Sequence, residues 1–315
     1  MLELAERPDP DVPAGHVRVA VRLAGVNRAD LLQRAGFYPA PVGAPPDIPG
    51  LEYVGVIDAL GQGTRGWAVG DRVFGLVPGG AYAEKLVAHE REVVRVPEDL
   101  DDEQAAAIPE AFVTAWDALV VRGRAAPGDC VLVHAAGSGV GTAAIQIAHA
   151  LGCSTIGTSR TADKLERAAA MNMQAGVVPQ AGRFADEVKR AAGGRAPDVI
   201  IDLVGGSYVA EDVRAAAPRG RIVVVGLTAG ASCDIDLRLV LQKRLEIVGT
   251  VLRSRPLEEK IEAAAMLERR ICALIARGAA RAVIDSVLPL DQAPAAHERM
   301  ASNETFGKVL LRVAR

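Results

Sequence analysis

Between residues 113 and 251, short apolar runs alternate with helical patterns, the runs lying near 131–134, 155–158, 177–178, 199–203, 222–226 and 246–251. No other feature restricts the fold as much. Successive strands joined by helices need crossovers, and each crossover covers a sheet face, so the pattern predicts a doubly wound, parallel six-stranded α/β sheet of Rossmann type. The first strand runs into "HAAGSGVG", with glycines at 137, 139 and 141. Glycine there permits positive φ and lets backbone approach a ligand with no Cβ in the way. The next helix offers unpaired N–H groups and the positive end of its dipole, which suit a pyrophosphate. Val140, Ala144, Ile147 and Leu151 fall on one face of that helix, and Gly152 is placed to end it. The motif is GxGxG, with Thr142 standing where the third glycine of GxGxxG would be. On the first strand of such an alternation, Gly137, Ser138, Gly139, Val140 and Gly141 are expected to cradle a dinucleotide.

The end of the second strand selects the dinucleotide. NAD-type sites place Asp or Glu there for the ribose 2′-OH, whereas this chain reads "IGTSRTADK". A carboxylate would repel a 2′-phosphate, while Ser159, Arg160 and Lys164 would bind one through charge-assisted hydrogen bonds. NADPH is therefore favoured. The alternative is that Arg160 and Lys164 are solvated charges at a helix start, with NADH as the cofactor.

Residues 1–110 have a different texture. Short β-type runs such as "HVRVAVRLAGV", "EYVGVIDAL", "DRVFGLV" and "AEKLVAHEREVVRVP" are separated by turn signals such as "YPAPVGAPPDIPG". They predict an irregular, mostly β domain. Beyond 256, "PLEEKIEAAAMLERRICALIARG" reads as one amphipathic helix, and "FGKVLLRV" as a closing strand that returns to the first domain. Composition narrows the partners. A net charge of −3 and few aromatics argue against nucleic acid. There is neither a run of about 20 apolar residues nor a signal-peptide pattern, so a cytoplasmic, non-membrane protein is expected. Cys130, Cys153, Cys233 and Cys272 are scattered without a CxxC pair.

Several stretches, in order along nearly the whole chain, carry a family resemblance: "AGVNRADLLQRAGFYP", "PGLEYVGVI", "GDRVFGL", "AAAIPEAFVTAWDAL", the glycine loop, "GGSY", "LRSR" and "FGKVLL". The chain resembles the zinc-free quinone oxidoreductase branch of the medium-chain dehydrogenase/reductase superfamily. This resemblance implies a discontinuous GroES-like catalytic domain, residues 1–112 and 253–315, and a dinucleotide domain, residues 113–252. Zinc alcohol dehydrogenases carry Cys and His where this chain has Asn27 and Leu51, and neither residue here can replace a zinc ligand. The five histidines show no HxxxH-type pairing, so no metal is expected. A site without a Lewis acid suits acceptors whose charge is already delocalised, such as quinones, enones and enoyl thioesters.

The resemblance also implies roles for individual residues. Tyr38 faces the substrate, and Ser138 lies close to cofactor and acceptor; these two hydroxyls are the catalytic candidates. Asn27 and Thr114 lie near the nicotinamide. Gly226 and Leu227 follow the fifth strand, and Leu252, Arg253 and Ser254 follow the sixth, completing the cofactor's wall. Family members often carry a tyrosine after the third strand, where this chain has Pro179, which keeps NADH open. Two further readings stand beside quinone or enone reduction. One is an enoyl-thioester reductase, for which Arg28, Arg34 and Arg253 would form a basic rim; the other is a non-enzymatic crystallin-like or RNA-binding role. The sixth strand, as a sheet edge, predicts a homodimer.

Overall fold

The computed structural model describes residues 2–313, and two compact units divide the chain, Met1–Val113 with Leu252–Arg315, and Thr114–Val251. In the first unit, β1 (His16–Val26), β2 (Glu52–Leu60), β3 (Arg72–Leu76), β4 (Lys85–His89) and β5 (Val93–Arg95) are joined by turns. β1 pairs antiparallel with β2 and with β4, and β2 continues through β3 to β5. Alternation along β1 points Val17, Val19 and Val21 into a core shared with Tyr53, Ile57 and Val73. Each such side chain taken from water contributes roughly 1.5–3 kcal/mol.

The second unit holds β6 (Cys130–Val133), β7 (Ser154–Thr158), β8 (Ala175–Val177), β9 (Val199–Asp202), β10 (Arg221–Val224) and β11 (Glu246–Gly249). Every pairing is parallel and the order is β11-β10-β9-β6-β7-β8. The chain therefore starts in the middle of the sheet and winds outward twice, and the strand order reverses between β6 and β9. All four residues of β6 and of β9 are buried, as central strands covered on both faces require.

The chain then returns to the first unit. β12 (Ile284–Pro289) pairs parallel with β13 (Lys308–Arg312), which lies antiparallel to β1. The single helix read beyond 256 is interrupted: α-helix Leu257–Met266 gives way to a π-helical turn, Leu267–Ile271, before Cys272–Ala276. The wider turn re-phases the apolar stripe. It buries Leu267, Ile271 and Leu274 while Glu268, Arg269 and Arg270 stay exposed. Among the described residues no helix is long and apolar enough to cross a membrane.

Candidate functional site

The glycine loop of the second unit owes its shape to two residues that carry different burdens. Positive φ, expected of the glycines, falls instead on Ala135 at 48°, and Gly137, Gly139 and Gly141 are not among the positive-φ residues. Gly141 is required for closeness: a Cβ there would lie 2.4 Å from the Ala135 carbonyl oxygen. The helix Gly139–Ala150 can thus press directly against the end of β6, which is the packing role that the third glycine fills in the longer motif. Ser138 is its N-cap, accepting the Gly141 N–H at 3.0 Å. That leaves the N–H groups of Gly139 and Val140, at the first two helical positions, without intrahelical acceptors. Ser138 therefore shapes the cradle through its acceptor lone pair, a structural task that its expected catalytic role did not include.

Beyond β7, Ser159 is buried and Arg160 exposed, and Lys164 lies in the first turn of the helix Ala162–Ala169. His134, at the end of β6, is fully buried and bonds Thr158 Oγ1 and Asp212 Oδ1, both at 2.7 Å. It fastens the end of β7, next to Ser159, to the helix Tyr208–Ala215. Burial pushes the Asp212 carboxyl up to about 6. Gly226, after β10, packs on Leu203, whose carbonyl oxygen a Cβ would meet at 2.6 Å; Leu227 beside it is exposed. These positions lie at the carboxyl ends of parallel strands, where such sheets bind ligands. Thr114 is buried.

In the first unit a pocket of about 540 Å³ is walled by Leu51, Leu76, Val113, Leu252, Ala264 and Leu267, with Glu110 and Arg253 among its polar groups. Beneath Leu51 lies a buried polar cluster that sequence reasoning missed. Lys308 Nζ meets Glu52 Oε1 at 2.6 Å and donates to Asn27 Oδ1 at 2.5 Å and the Val26 carbonyl at 3.1 Å. Glu52 also accepts the Asn27 amide N–H at 2.9 Å and the Glu110 backbone N–H at 2.8 Å. Gly25 makes room for that carboxylate, since a Cβ there would stand 2.1 Å from Glu52 Oε1. Asn27, expected beside the nicotinamide, is thus bound on both faces of its amide.

Arg253 is tied into the first unit. It is 7% exposed, and its guanidinium donates to the Pro78 carbonyl (2.7 Å), the Tyr38 carbonyl (3.1 Å) and Gln33 Oε1 (2.5 Å). Its Cζ sits 5.2 Å from the centroid of the Tyr38 ring. This arginine fastens the proline-rich segment around Tyr38. Burial pushes the Tyr38 phenol up, with Arg253 opposing, so it remains a proton-bearing donor at neutral pH. Ser254 is exposed and Leu252 half-buried.

A GroES-like β unit and a six-stranded parallel sheet with a glycine cradle at its first strand define a medium-chain dehydrogenase/reductase. Family models agree: residues 13–98 match the alcohol dehydrogenase GroES-like domain, and residues 139–269 match the model described as zinc-binding dehydrogenase. Quinone oxidoreductase of Rattus norvegicus is 33% identical over 303 residues, covering 95% of this chain and 90% of that protein. The structure of Escherichia coli quinone oxidoreductase complexed with NADPH matches 98% of this chain and 95% of its own, with a TM-score of 0.85 and 28% identity. An NAD-dependent alcohol dehydrogenase matches with a TM-score of 0.87 and 32% identity, over 99% of this chain and 96% of its own. The chain belongs to the quinone oxidoreductase branch of this superfamily.

One of the matching models takes its name from zinc, so the residues must be tested against that ion. At the two positions discussed above stand an apolar Leu51 and an Asn27 whose oxygen is engaged by an ammonium group. The adjacent Glu52 already faces Lys308. Among the described residues no group of three His, Cys, Asp or Glu is placed to hold a metal ion. This donor set does not fit zinc.

Proposed function

We propose that this protein is an NAD(P)H-dependent reductase of quinones or small conjugated enones that works without metal, with NADPH as the preferred cofactor. The observation that carries the reading is the pocket of the first unit, whose largely apolar wall includes the carboxyls of Glu92 and Glu110 and the basic groups of Arg253, Arg255 and Lys260 but no His or Cys. Bound reduced nicotinamide supplies hydride to the conjugated position of the acceptor. The chain's own residues do the rest. Leu51, Leu76, Val113 and Leu252 exclude water from a planar apolar acceptor, and the Tyr38 hydroxyl donates a hydrogen bond to its oxygen. Gly137, Gly139, Val140 and Gly141, shaped by the Ser138 cap, receive the pyrophosphate. Ser159, Arg160 and Lys164 receive the 2′-phosphate, while Thr114, Gly226 and Leu227 border the remainder of the dinucleotide. Within the branch, this reading takes the sequence stretches to resemble those of the p53-inducible quinone oxidoreductase. A cytoplasmic site of action accords with this chemistry.

The thioester alternative depended on a basic rim of Arg28, Arg34 and Arg253, of which Arg34 is exposed while the other two are engaged within the first unit. Arg28 donates to the Met300 carbonyl at 3.2 Å and Asn303 Oδ1 at 2.6 Å, and Arg253 is buried. Titration with NADH and NADPH, followed by turnover on a quinone, enone and enoyl-CoA panel, tests the reading. Quinones or small enones should give the highest kcat/KM; exclusive turnover of enoyl-CoA would replace this reading with the alternative.

Assembly follows from the sheet's edge. Among the described residues β11 pairs only with β10, and the preceding helix Leu237–Lys243 buries none of its residues. Leu237, Leu241, Ile247 and Val251 are all exposed. A second copy pairing through β11 would cover that apolar edge and extend the sheet. Light scattering should give the mass of two chains at micromolar concentration, and Ile247→Lys should shift it toward one. A monomeric wild type would contradict the dimer.

A further inference from the structure

The carboxyls of Asp30, Glu52 and Glu110 in the first unit are held in different ways, and one stands apart. Asp30 accepts hydrogen bonds from the Asn27 N–H (2.8 Å), the Gly50 N–H (3.1 Å) and the Tyr82 hydroxyl (3.1 Å). Glu52 has Lys308, Asn27 and the Glu110 N–H. The Glu110 carboxyl, by contrast, enters no hydrogen bond or ion pair among the described residues, although it lines the apolar pocket with part of its surface open to it. Its backbone is fixed by the Pro109–Trp116 helix and by the bond to Glu52, so the side chain is aimed rather than loose.

A carboxyl in that position keeps its proton. Burial is the largest cause, the Glu52 charge adds to it, and together they push Glu110 up to about 8. Asp30 acts in the same sense, while Lys308 and Arg253 oppose. The helix N-terminus also opposes, but such an effect is worth only about 0.3–1 kcal/mol. Tyr38 lies within electrostatic reach of the same carboxyl.

We propose that Glu110 is the proton donor of the reduction, a catalytic residue that delivers its carboxyl proton to the acceptor's oxygen in the pocket. This rests on the reductase reading above. As hydride adds to the conjugated position, the carbonyl π pair moves onto oxygen. The Glu110 O–H bond breaks, an O–H bond forms on the acceptor, and the carboxylate left behind regains a proton from solvent through the pocket mouth. A quinone thereby gains one hydride and one proton as a hydroxydienone, which becomes the hydroquinone when the ring carbon that took the hydride loses a proton to solvent and the second oxygen takes one up; an enone becomes an enol. Tyr38 then orients the acceptor without giving up its own proton.

Steady-state kinetics, cofactor binding and infrared spectra test it. Wild-type kcat on a quinone should fall as pH rises through about 8, because the donor must be protonated. Glu110→Gln should lower kcat at pH 7 by roughly 100-fold, the usual scale of acid catalysis, and abolish that basic limb. Its NADPH dissociation constant, read by fluorescence, should stay within about twofold of wild type, and Glu110→Asp should restore part of the rate. Independently of turnover, infrared difference spectra of the cofactor-free protein, wild type against Glu110→Gln, should show a protonated carboxyl at pH 7 that ionises near 8. The proposal is overturned if Glu110→Gln keeps the wild-type rate and pH profile while Tyr38→Phe loses them, or if the carboxyl is already ionised at pH 6. A wild type that reduces no acceptor at all would instead sink the functional reading itself, before any variant is compared.

Discussion

Replacing Lys308 with methionine should destabilise the first unit by about 3–5 kcal/mol, the usual cost of removing one partner from a buried ion pair. Glu52 is fully buried and Lys308 is 4% exposed, so no solvent can take the ammonium's place. Methionine fits the strand and fills much of the lysine's volume, which separates the lost charge from a lost shape. The thermal midpoint should drop by roughly 6–20 °C for a unit of this size. Pairing Lys308→Met with Glu52→Gln should recover most of the loss, since a neutral amide no longer needs a cation. Circular dichroism melts of the two single variants and the double variant check this. If Lys308→Met costs less than about 1 kcal/mol, the cluster is solvated and not the internal clamp described here.

Arg160→Ala with Lys164→Ala should erase most of the preference for NADPH over NADH. One exposed charge-assisted contact contributes about 1.5–3 kcal/mol, which corresponds to roughly tenfold to a hundredfold in the dissociation constant. Each single substitution should weaken NADPH selectively and leave NADH nearly unchanged, because NADH has no 2′-phosphate to lose. Fluorescence titrations of both cofactors on all three variants measure it. Equal wild-type affinity for NADH and NADPH would show that the two charges read no phosphate, and would overturn the cofactor preference while leaving the glycine cradle intact.

The parallel sheet was legible because its strands are buried on both faces. Apolar runs such as "CVLV" and "VIID" can hardly form anything else between helical patterns, and they became β6 and β9. The closing strand was legible as well, from "KVLL", and its pairing with β1 is observed. Its lysine was not. A charged residue in a strand reads as a solvent-facing position, and only the pairing of β13 with β1 reveals that Lys308 lies against Asn27 and Glu52. Glu110 was hidden for a similar reason: an acid in the first turn of a helix looks like a response to the helix dipole, whatever surrounds it. Arg253 was expected on the cofactor's wall or in a basic rim; its three partners come from residues 33, 38 and 78, a convergence that no local pattern encodes. The positive φ of Ala135 was equally invisible, because glycine is the residue expected to carry such a conformation. Period and turn chemistry thus reported the scaffold, whereas the site depended on contacts between residues far apart in sequence.

The central claim is that this chain reduces conjugated acceptors with a nicotinamide cofactor and no metal. Its most direct test is quinone-dependent NADPH oxidation by the purified protein after prolonged dialysis against a chelator, with hydroquinone counted against cofactor consumed. One hydroquinone per NADPH, at the same rate before and after chelation and unchanged by added zinc, is the predicted result. Loss of turnover on chelation with recovery on adding zinc, or no acceptor-dependent oxidation of either cofactor, would contradict it.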